Sequence, residues 1–344
     1  MEDRRSKIED EGIETISHLP SPISHLPPIS HLPSPILLAG PTAVGKSAIA
    51  LLLAERFGGE IICVDSMQVY RHLDIGTAKP TTAERQRVPH HLIDVVDFTE
   101  PFDAAQFVRL ARTAVTEIQS RGRVPILCGG TGLYFKAFLE GLGEGPPANA
   151  AVRTELEKTP LPQLLRELEE RDPVMVAQID RQNPRRVIRA LEVIRLTGKP
   201  FSAQRAEWNR ADTSRIRHPA SRIFCLCRSP EDLRARIDAR VDEMFRRGLV
   251  VETERLLARG LDKNPTALQA IGYRQVVEYL RGMRSLEATI AQIKWRTRQF
   301  AKRQMTWFRH KADVIWIDSN PGDDLPAVAQ KVAALWIALG NRQA

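Results

Sequence analysis

Gly40-Pro41-Thr42-Ala43-Val44-Gly45-Lys46-Ser47 constrains this chain more than any other stretch. It fits G-x-x-x-x-G-K-[ST], a loop that works only between a strand and a helix. Both flanks fit. Ile36-Leu37-Leu38-Ala39 reads as a short buried strand, and Ala48 to Phe57 as a helix stopped by Gly58-Gly59. The glycines let backbone N–H groups turn toward an anion, and the helix N-terminus adds partial positive charge. Lys46 would hold outer phosphate oxygens, and the Ser47 hydroxyl would sit on Mg²⁺. The loop therefore grips a polyphosphate. It does not say which one.

Around the loop the chain alternates between strands and helices. Glu60-Ile61-Ile62-Cys63-Val64 is a second strand, ending at Asp65. Ala104 to Gln119 is an amphipathic helix, and Val124 to Cys128 is a third strand running into Gly129-Gly130-Thr131-Gly132. Nearly continuous apolar strands between helices predict an α/β fold: a P-loop NTPase-like parallel sheet flanked by helices. After a Gly/Pro hinge at 141–147, residues 148–212 carry helical signals and no strand, so an all-helical insertion domain is expected there. Ile223 to Cys227 and Val314 to Ile317 return to strand. The expected organisation is a core of 35–147 and 213–320, the insertion at 148–212, and a C-terminal helix or tail at 321–344. Residues 1–34 repeat Ile-Ser-His-Leu-Pro three times. Proline at that density breaks helices, so a disordered tail is expected.

Composition narrows the class. The 344 residues are 43% hydrophobic and 27% charged, as in soluble globular proteins. No run of about 18 apolar residues appears, so no membrane span is expected. A charged N-terminus without an apolar segment behind it argues against a secretory signal. Cys63, Cys128, Cys225 and Cys227 lie in strands without zinc spacing and read as reduced core residues of a cytoplasmic protein. The net charge of +8 suggests a polyanionic partner.

Three strand ends are polar: the loop at 40–47, Asp65-Ser66-Met67-Gln68, and Gly130-Thr131-Gly132. In open parallel sheets such ends converge on one crevice. Asp65 is a candidate Mg²⁺ ligand or general base, or alternatively a turn residue. Thr131 is either a phosphate donor or a simple turn hydroxyl. The strand at 124–128 ends in glycine, where an NTPase usually carries a Mg²⁺-binding acid. Asp94 or Asp97 could supply that acid. Arg185, Arg186 and Arg189 share one side of a helix opened by Asn183-Pro184, while Val187 and Ile188 can pack inward. Residues 288–310 hold Lys294, Arg296, Arg298, Lys302, Arg303 and Arg309 with no acid, which suits phosphate-backbone contact.

These residues together resemble the bacterial tRNA dimethylallyltransferase family, also called isopentenyl-diphosphate:tRNA transferases. The likeness runs from 36 to about 318 and lies outside residues 1–34. It rests on the loop at 40–47, on 65–71 with 74–79, on Pro89 to Asp94, on Gly129 to Tyr134, on Asn183 to Glu192 and on Gln269 to Gln275. The resemblance implies transfer of the dimethylallyl group of dimethylallyl diphosphate to N6 of the adenosine 3′ of the anticodon, position 37. It implies Asp65 as general base, and Thr131 and Arg240 beside Lys46 and Ser47 on the diphosphate. It implies tRNA contacts from Asp65 to Gln68, Thr131, Arg153, Arg185 to Arg189, and Gln269, Ala270, Ile271, Gly272, Tyr273 and Arg274. The expected partners are the tRNA anticodon stem-loop and the prenyl diphosphate, with Mg²⁺ as cofactor and a monomeric enzyme. A P-loop kinase of small molecules or nucleotides shares the loop and the metal. An RNA-binding ATP switch would leave Asp65 idle. An adenylate prenyltransferase of the cytokinin type would have no use for the helical insertion and its arginines.

Overall fold

The computed structural model of the chain describes residues 35–141, 146, 148–204, 222–319 and 322–341. The Ile-Ser-His-Leu-Pro repeats, most of the hinge at 141–147 and the boundary at 212 lie outside them.

Six strands form one parallel sheet: β1 (Ile36–Ala39), β2 (Glu60–Val64), β3 (His90–His91), β4 (Pro125–Gly129), β5 (Ile223–Cys227) and β6 (Val314–Asp318), in the order β3-β2-β4-β1-β5-β6. The expected core strands are present, and β4 is shifted by one residue. The two-residue edge strand β3 had no periodic signal to reveal it.

Alternation across the pleat explains why the strands read as unbroken apolar runs. Leu37 and Ala39 of β1 face one core, shared with Phe107, Ala111, Phe135 and Tyr273. Ile36 and Leu38 face the other, shared with Ile49, Leu53, Val332 and Trp336. Both faces of the central strands are covered, which accounts for their apolar runs, and the buried Glu60 that opens β2 is paired with His91 and Arg121. The helix Lys46–Phe57 and the C-terminal helix Leu325–Asn341 cover the second face together, with the Phe57 and Trp336 rings 5.0 Å apart edge to face. The C-terminal segment is thus part of the core packing.

The helices Ala150–Lys158, Leu161–Arg171, Pro173–Gln178 and Pro184–Thr197 enclose a separate apolar cluster of Leu156, Leu164, Leu168, Met175, Val187 and Leu191. Residues 230–258 form two helices, Pro230–Arg246 and Leu249–Ala258, broken at Gly248, whose φ is 95°. Two further helices, Tyr273–Leu280 and Leu286–Lys311, close the remaining flank. No helix among the described residues is long and apolar enough to cross a membrane.

Candidate active site

The carboxyl ends of β1, β2 and β4 meet at a crevice of about 330 Å³. Lys46, Ser47, Asp65, Thr131 and Arg240 all line it. Gly40 leaves β1 with φ 143°, and a Cβ there would stand 2.7 Å from the Leu226 carbonyl, so the turn requires glycine. The helix behind the loop starts at Lys46 with no side-chain cap and no acid in its first turn. Its first N–H groups are left to the loop concavity, the arrangement that favours an anion.

Side chains from distant helices and from the loop itself hold its shape. Arg236 Nε donates to the Ala43 carbonyl and Arg228 Nε to that of Val44, each at 2.9 Å. Lys46 Nζ donates back to Gly40 O at 2.9 Å and Pro41 O at 2.6 Å. Gln304 ties two strand ends together: its Oε1 accepts the Thr42 N–H at 2.9 Å, and its Nε2 donates to Gly130 O at 2.9 Å. A Cβ at residue 130 would stand 2.2 Å from that amide nitrogen, so the contact exists only because Gly130 has no side chain.

The crevice carries positive charge, and among the described residues no carboxylate comes within salt-bridge distance of Lys46 or Arg240. Burial pulls the Lys46 ammonium down to about 8, with Arg240 pulling the same way and Asp65 opposing. Burial also lowers Arg240, again opposed by Asp65. Among the described residues Arg240 makes no hydrogen bond or ion pair. Two desolvated cations side by side are costly unless an anion joins them.

Asp65 and Thr131 resolve their open alternatives differently. Asp65 Oδ1 accepts the Met67 N–H at 2.8 Å and the Gln68 N–H at 3.2 Å, so this residue does form a turn. Among the described residues nothing donates to Oδ2, which remains available as a base. Thr131 stands at the N-cap of the helix Gly132–Glu140, yet its hydroxyl makes no cap bond. Ser66, Met67 and Gln68 also line the crevice, with Gln68 Nε2 donating to Thr77 O at 2.9 Å. The apolar part of the wall comes from Met67, Val241, Met244, Ile271, Ile293 and Phe300.

The residues expected on tRNA divide. Gln269, Ala270 and Ile271 line the crevice. Arg185 Nη1 donates to Gln269 Oε1 at 2.8 Å, so the insertion touches the crevice rim there. Arg186 is exposed. Gly272, with φ 108°, starts the helix Tyr273–Leu280, and Arg274 is exposed and pairs with Glu278 at 3.2 Å. Arg153 and Arg189 instead converge on Glu192, at 2.9 and 2.6 Å. Val187 and Ile188 pack into the insertion's apolar cluster, and Tyr273 is buried with its hydroxyl donating to Glu252 at 2.6 Å. The side chains of Val187, Ile188 and Tyr273 are thus committed to packing, while those of Arg153 and Arg189 are paired but partly exposed.

Two further expectations need correction. Asp94 is held by Lys79 and Arg85, and Asp97 accepts from Thr99 N–H and Oγ1. Neither lines the crevice, so neither replaces the acid missing after β4. The helix Leu286–Lys311 is also less bare than its own sequence suggests. Lys294 donates to Asp242 at 2.7 Å and Arg298 Nε to Asp238 at 3.0 Å, both acids on the neighbouring helix.

Sequence reasoning missed Gln304. Ile293, Thr297, Phe300 and Gln304 lie at helical spacing on one face that lines the crevice. That periodicity was present, but basic residues between these positions masked it.

Residues 68–311 match the family described as IPP transferase. The chain is 43% identical over 302 residues to the tRNA dimethylallyltransferase of Geobacillus kaustophilus, covering 86% of this chain and 94% of that one. It is 46% identical over 286 residues to tRNA dimethylallyltransferase 1 of Trichlorobacter lovleyi, covering 82% and 92%. Among solved structures it resembles the full-length tRNA isopentenylpyrophosphate transferase of Bacillus halodurans, with TM-score 0.65, 40% identity and coverage of 90% and 98%. It also resembles a eukaryotic dimethylallyltransferase captured acting on tRNA, with TM-score 0.74, 30% identity and coverage of 87% and 77%.

Proposed function

This chain belongs to the IPP transferase family, and from that premise we propose that it moves the dimethylallyl group of dimethylallyl diphosphate onto N6 of adenosine 37, just 3′ of the anticodon in tRNA. One observation carries the reading. Lys46 and Arg240, with no carboxylate in salt-bridge distance among the described residues, line the same crevice as Asp65 and Gln269 to Ile271. The cations suit a diphosphate, the apolar wall suits a C5 chain, and the carboxylate suits an amine.

The chemistry follows from these groups. The allylic C–O bond breaks as the N6–C bond forms. Charge then builds on the departing diphosphate, and Lys46, Arg240 and the Thr131 hydroxyl neutralise it where it develops. An exocyclic adenine amine is a weak nucleophile, and Asp65 Oδ2 accepts its proton while Oδ1 stays in the turn that aims it. A paired or stacked adenine cannot enter, so the base must be flipped out of a single-stranded loop.

Magnesium fits this site in a limited way. Among the described residues no three His, Cys, Asp or Glu side chains converge on one point. The exposed Ser47 hydroxyl would be the protein's ligand and diphosphate oxygens and water the others, a habit of Mg²⁺ at phosphate loops. When bound it would supply further neutralisation of the leaving group.

The enzyme is read as a cytoplasmic monomer, where tRNA is its substrate. Incubating the purified protein with tRNA and dimethylallyl diphosphate, then digesting the tRNA for mass spectrometry, tests the reading. The expected product is adenosine carrying one C5H8 unit. Unmodified tRNA beside turnover of ATP would overturn it in favour of a kinase.

A further inference from the structure

A second cavity, of about 590 Å³, opens between the helix Leu249–Ala258 and the segment at 72–75. Arg247, Arg255, Arg259 and His72 line it, with Asp74 and Glu252. The three arginines are exposed, and among the described residues none has a carboxylate within salt-bridge distance. Elsewhere on this flank arginines pair readily: Arg246 with Glu243, Arg281 with Asp262 and Arg298 with Asp238.

The acids nearby are committed elsewhere, including Asp97, whose charge is felt by Arg259 and His72 but whose Oδ1 accepts the Thr99 N–H and hydroxyl. Asp74 accepts from the buried Lys79 at 2.8 Å. Glu252 accepts the Ile75 N–H at 3.0 Å and the Tyr273 hydroxyl at 2.6 Å. Arg259 is held in place over the Phe98 ring, 5.0 Å from its centre. The cavity therefore presents an excess of guanidinium groups, the donors best matched to phosphate oxygens.

Its position adds a second argument. Asp74 and Ile75 line this cavity, while the next two residues, Gly76 and Thr77, line the crevice. One short segment separates the two. A polymer with its reactive base in the crevice extends beyond it, and the cavity lies just across this segment.

We propose that Arg247, Arg255 and Arg259 form a second phosphate-binding site, one that takes backbone phosphates of the acceptor RNA outside the nucleotide being modified. This deepens the tRNA reading and rests on it. The diphosphate donor has no part in it, since its loop lies in the crevice.

The test is a variant carrying Arg247→Gln, Arg255→Gln and Arg259→Gln in the full chain, beside a version with three Arg→Lys changes. tRNA binding is measured by filter retention across a salt series, and inorganic phosphate and ATP binding by calorimetry. Abolishing one phosphate contact takes about one unit off the slope of log affinity against log salt. The Gln variant should lose about two to three units, with tRNA affinity down at least about tenfold at low salt. The Lys variant should recover most of the slope, because the number of counterions released follows the charge that meets the phosphates, even where the looser ammonium binds less tightly than the guanidinium fork. The KM for dimethylallyl diphosphate and the melting temperature should stay at parental values. An unchanged slope in the Gln variant overturns the proposal. So does an unchanged slope with loss of inorganic phosphate or ATP binding, which would make this a small-anion site. Prenyl transfer by the parent protein in the same preparations separates the two ideas: its absence overturns the activity, whereas its presence with an unchanged slope overturns only this site.

Discussion

The crevice and the helical insertion both collect cations, and they treat them in opposite ways. At the crevice, among the described residues, no carboxylate comes within salt-bridge distance of Lys46 or Arg240, and Asp65 acts on them only at longer range. In the insertion Arg153 and Arg189 share Glu192, whose side chain is fully buried, and Arg195 is held by Glu155 and Glu167. An unpaired desolvated cation is a cost that only a ligand offsets, whereas a paired one is already offset by the fold. Counting arginines in sequence cannot separate these cases. Counting their partners in space does.

The largest expected effect tests the crevice side. Asp65→Asn keeps the oxygen that accepts Met67 and Gln68 N–H, so the turn should survive. Turnover should fall by on the order of 10²–10⁴ with tRNA and donor binding nearly intact, the usual share of a general base. A rate within about threefold of the parent in single-turnover assays would leave Asp65 as a turn residue only.

The next effect comes from pH. Lys46 is depressed to about 8 by burial, so in the free protein it loses its proton as pH rises through that value. Its charged form is the one the fold disfavours and the anion favours. The free protein should therefore gain stability above pH 8, while donor affinity should fall about tenfold per pH unit there. kcat/KM for the prenyl donor, followed from pH 6 to 10, should break near 8, and Lys46→Met should abolish the break. A flat profile would mean that Lys46 is not the group binding the diphosphate.

The insertion side predicts a stability effect that also grows with rising pH, but in the acid range, and from a charge that the fold favours. Burial pushes the Glu192 carboxyl up, but hydrogen bonds from Arg189, the Asn149 N–H and Arg153 bring it below its ordinary 4.5. Its contribution is present above that ordinary value and lost as pH falls through the lower folded one. Glu192→Gln should cost about 1–3 kcal/mol at neutral pH, because one acceptor of charged donors is gone. Thermal melts from pH 3 to 7 should show the variant losing less on acidification than the parent. Identical melts at pH 7 would remove the argument that these arginines hold structure.

The same contrast explains what was legible in the chain. The loop, Asp65 and Thr131 are each contiguous with a strand, so strand and turn patterns placed them at one crevice. Arg240 reaches that crevice from a helix more than a hundred residues away, and only the family resemblance pointed to it. Gln304 carried only a masked helical periodicity, and its role depends on the missing side chain at Gly130. The acid-free helix 288–310 misled for the converse reason. Asp238 and Asp242, which neutralise two of its cations, belong to another helix. Local sequence reports charge, but the partner of a charge is a tertiary fact.

The smallest effect is also the sharpest division between the two kinds of arginine, because it falls on neighbours within one helix. Arg189 is bound to Glu192 and to the Pro146 carbonyl, the latter at 2.8 Å. Arg185, one turn earlier, is exposed, and among the described residues it meets only the neutral amide of Gln269. Its charge is left for a phosphate. Arg185→Gln should flatten the salt dependence of tRNA binding by about one unit and raise the KM for tRNA a few-fold, with the melting temperature unchanged. Arg189→Gln should lower the melting temperature and leave the slope alone, since Glu192 is deprived of a donor while every phosphate contact stays in place. The KM for the prenyl donor should not move in either. Filter binding across a salt series, run beside a thermal melt of each variant, reads both quantities. If the two substitutions gave the same pattern, the pairing of a cation within the fold would not predict its use, and the distinction between crevice and insertion would fail where it is most finely drawn.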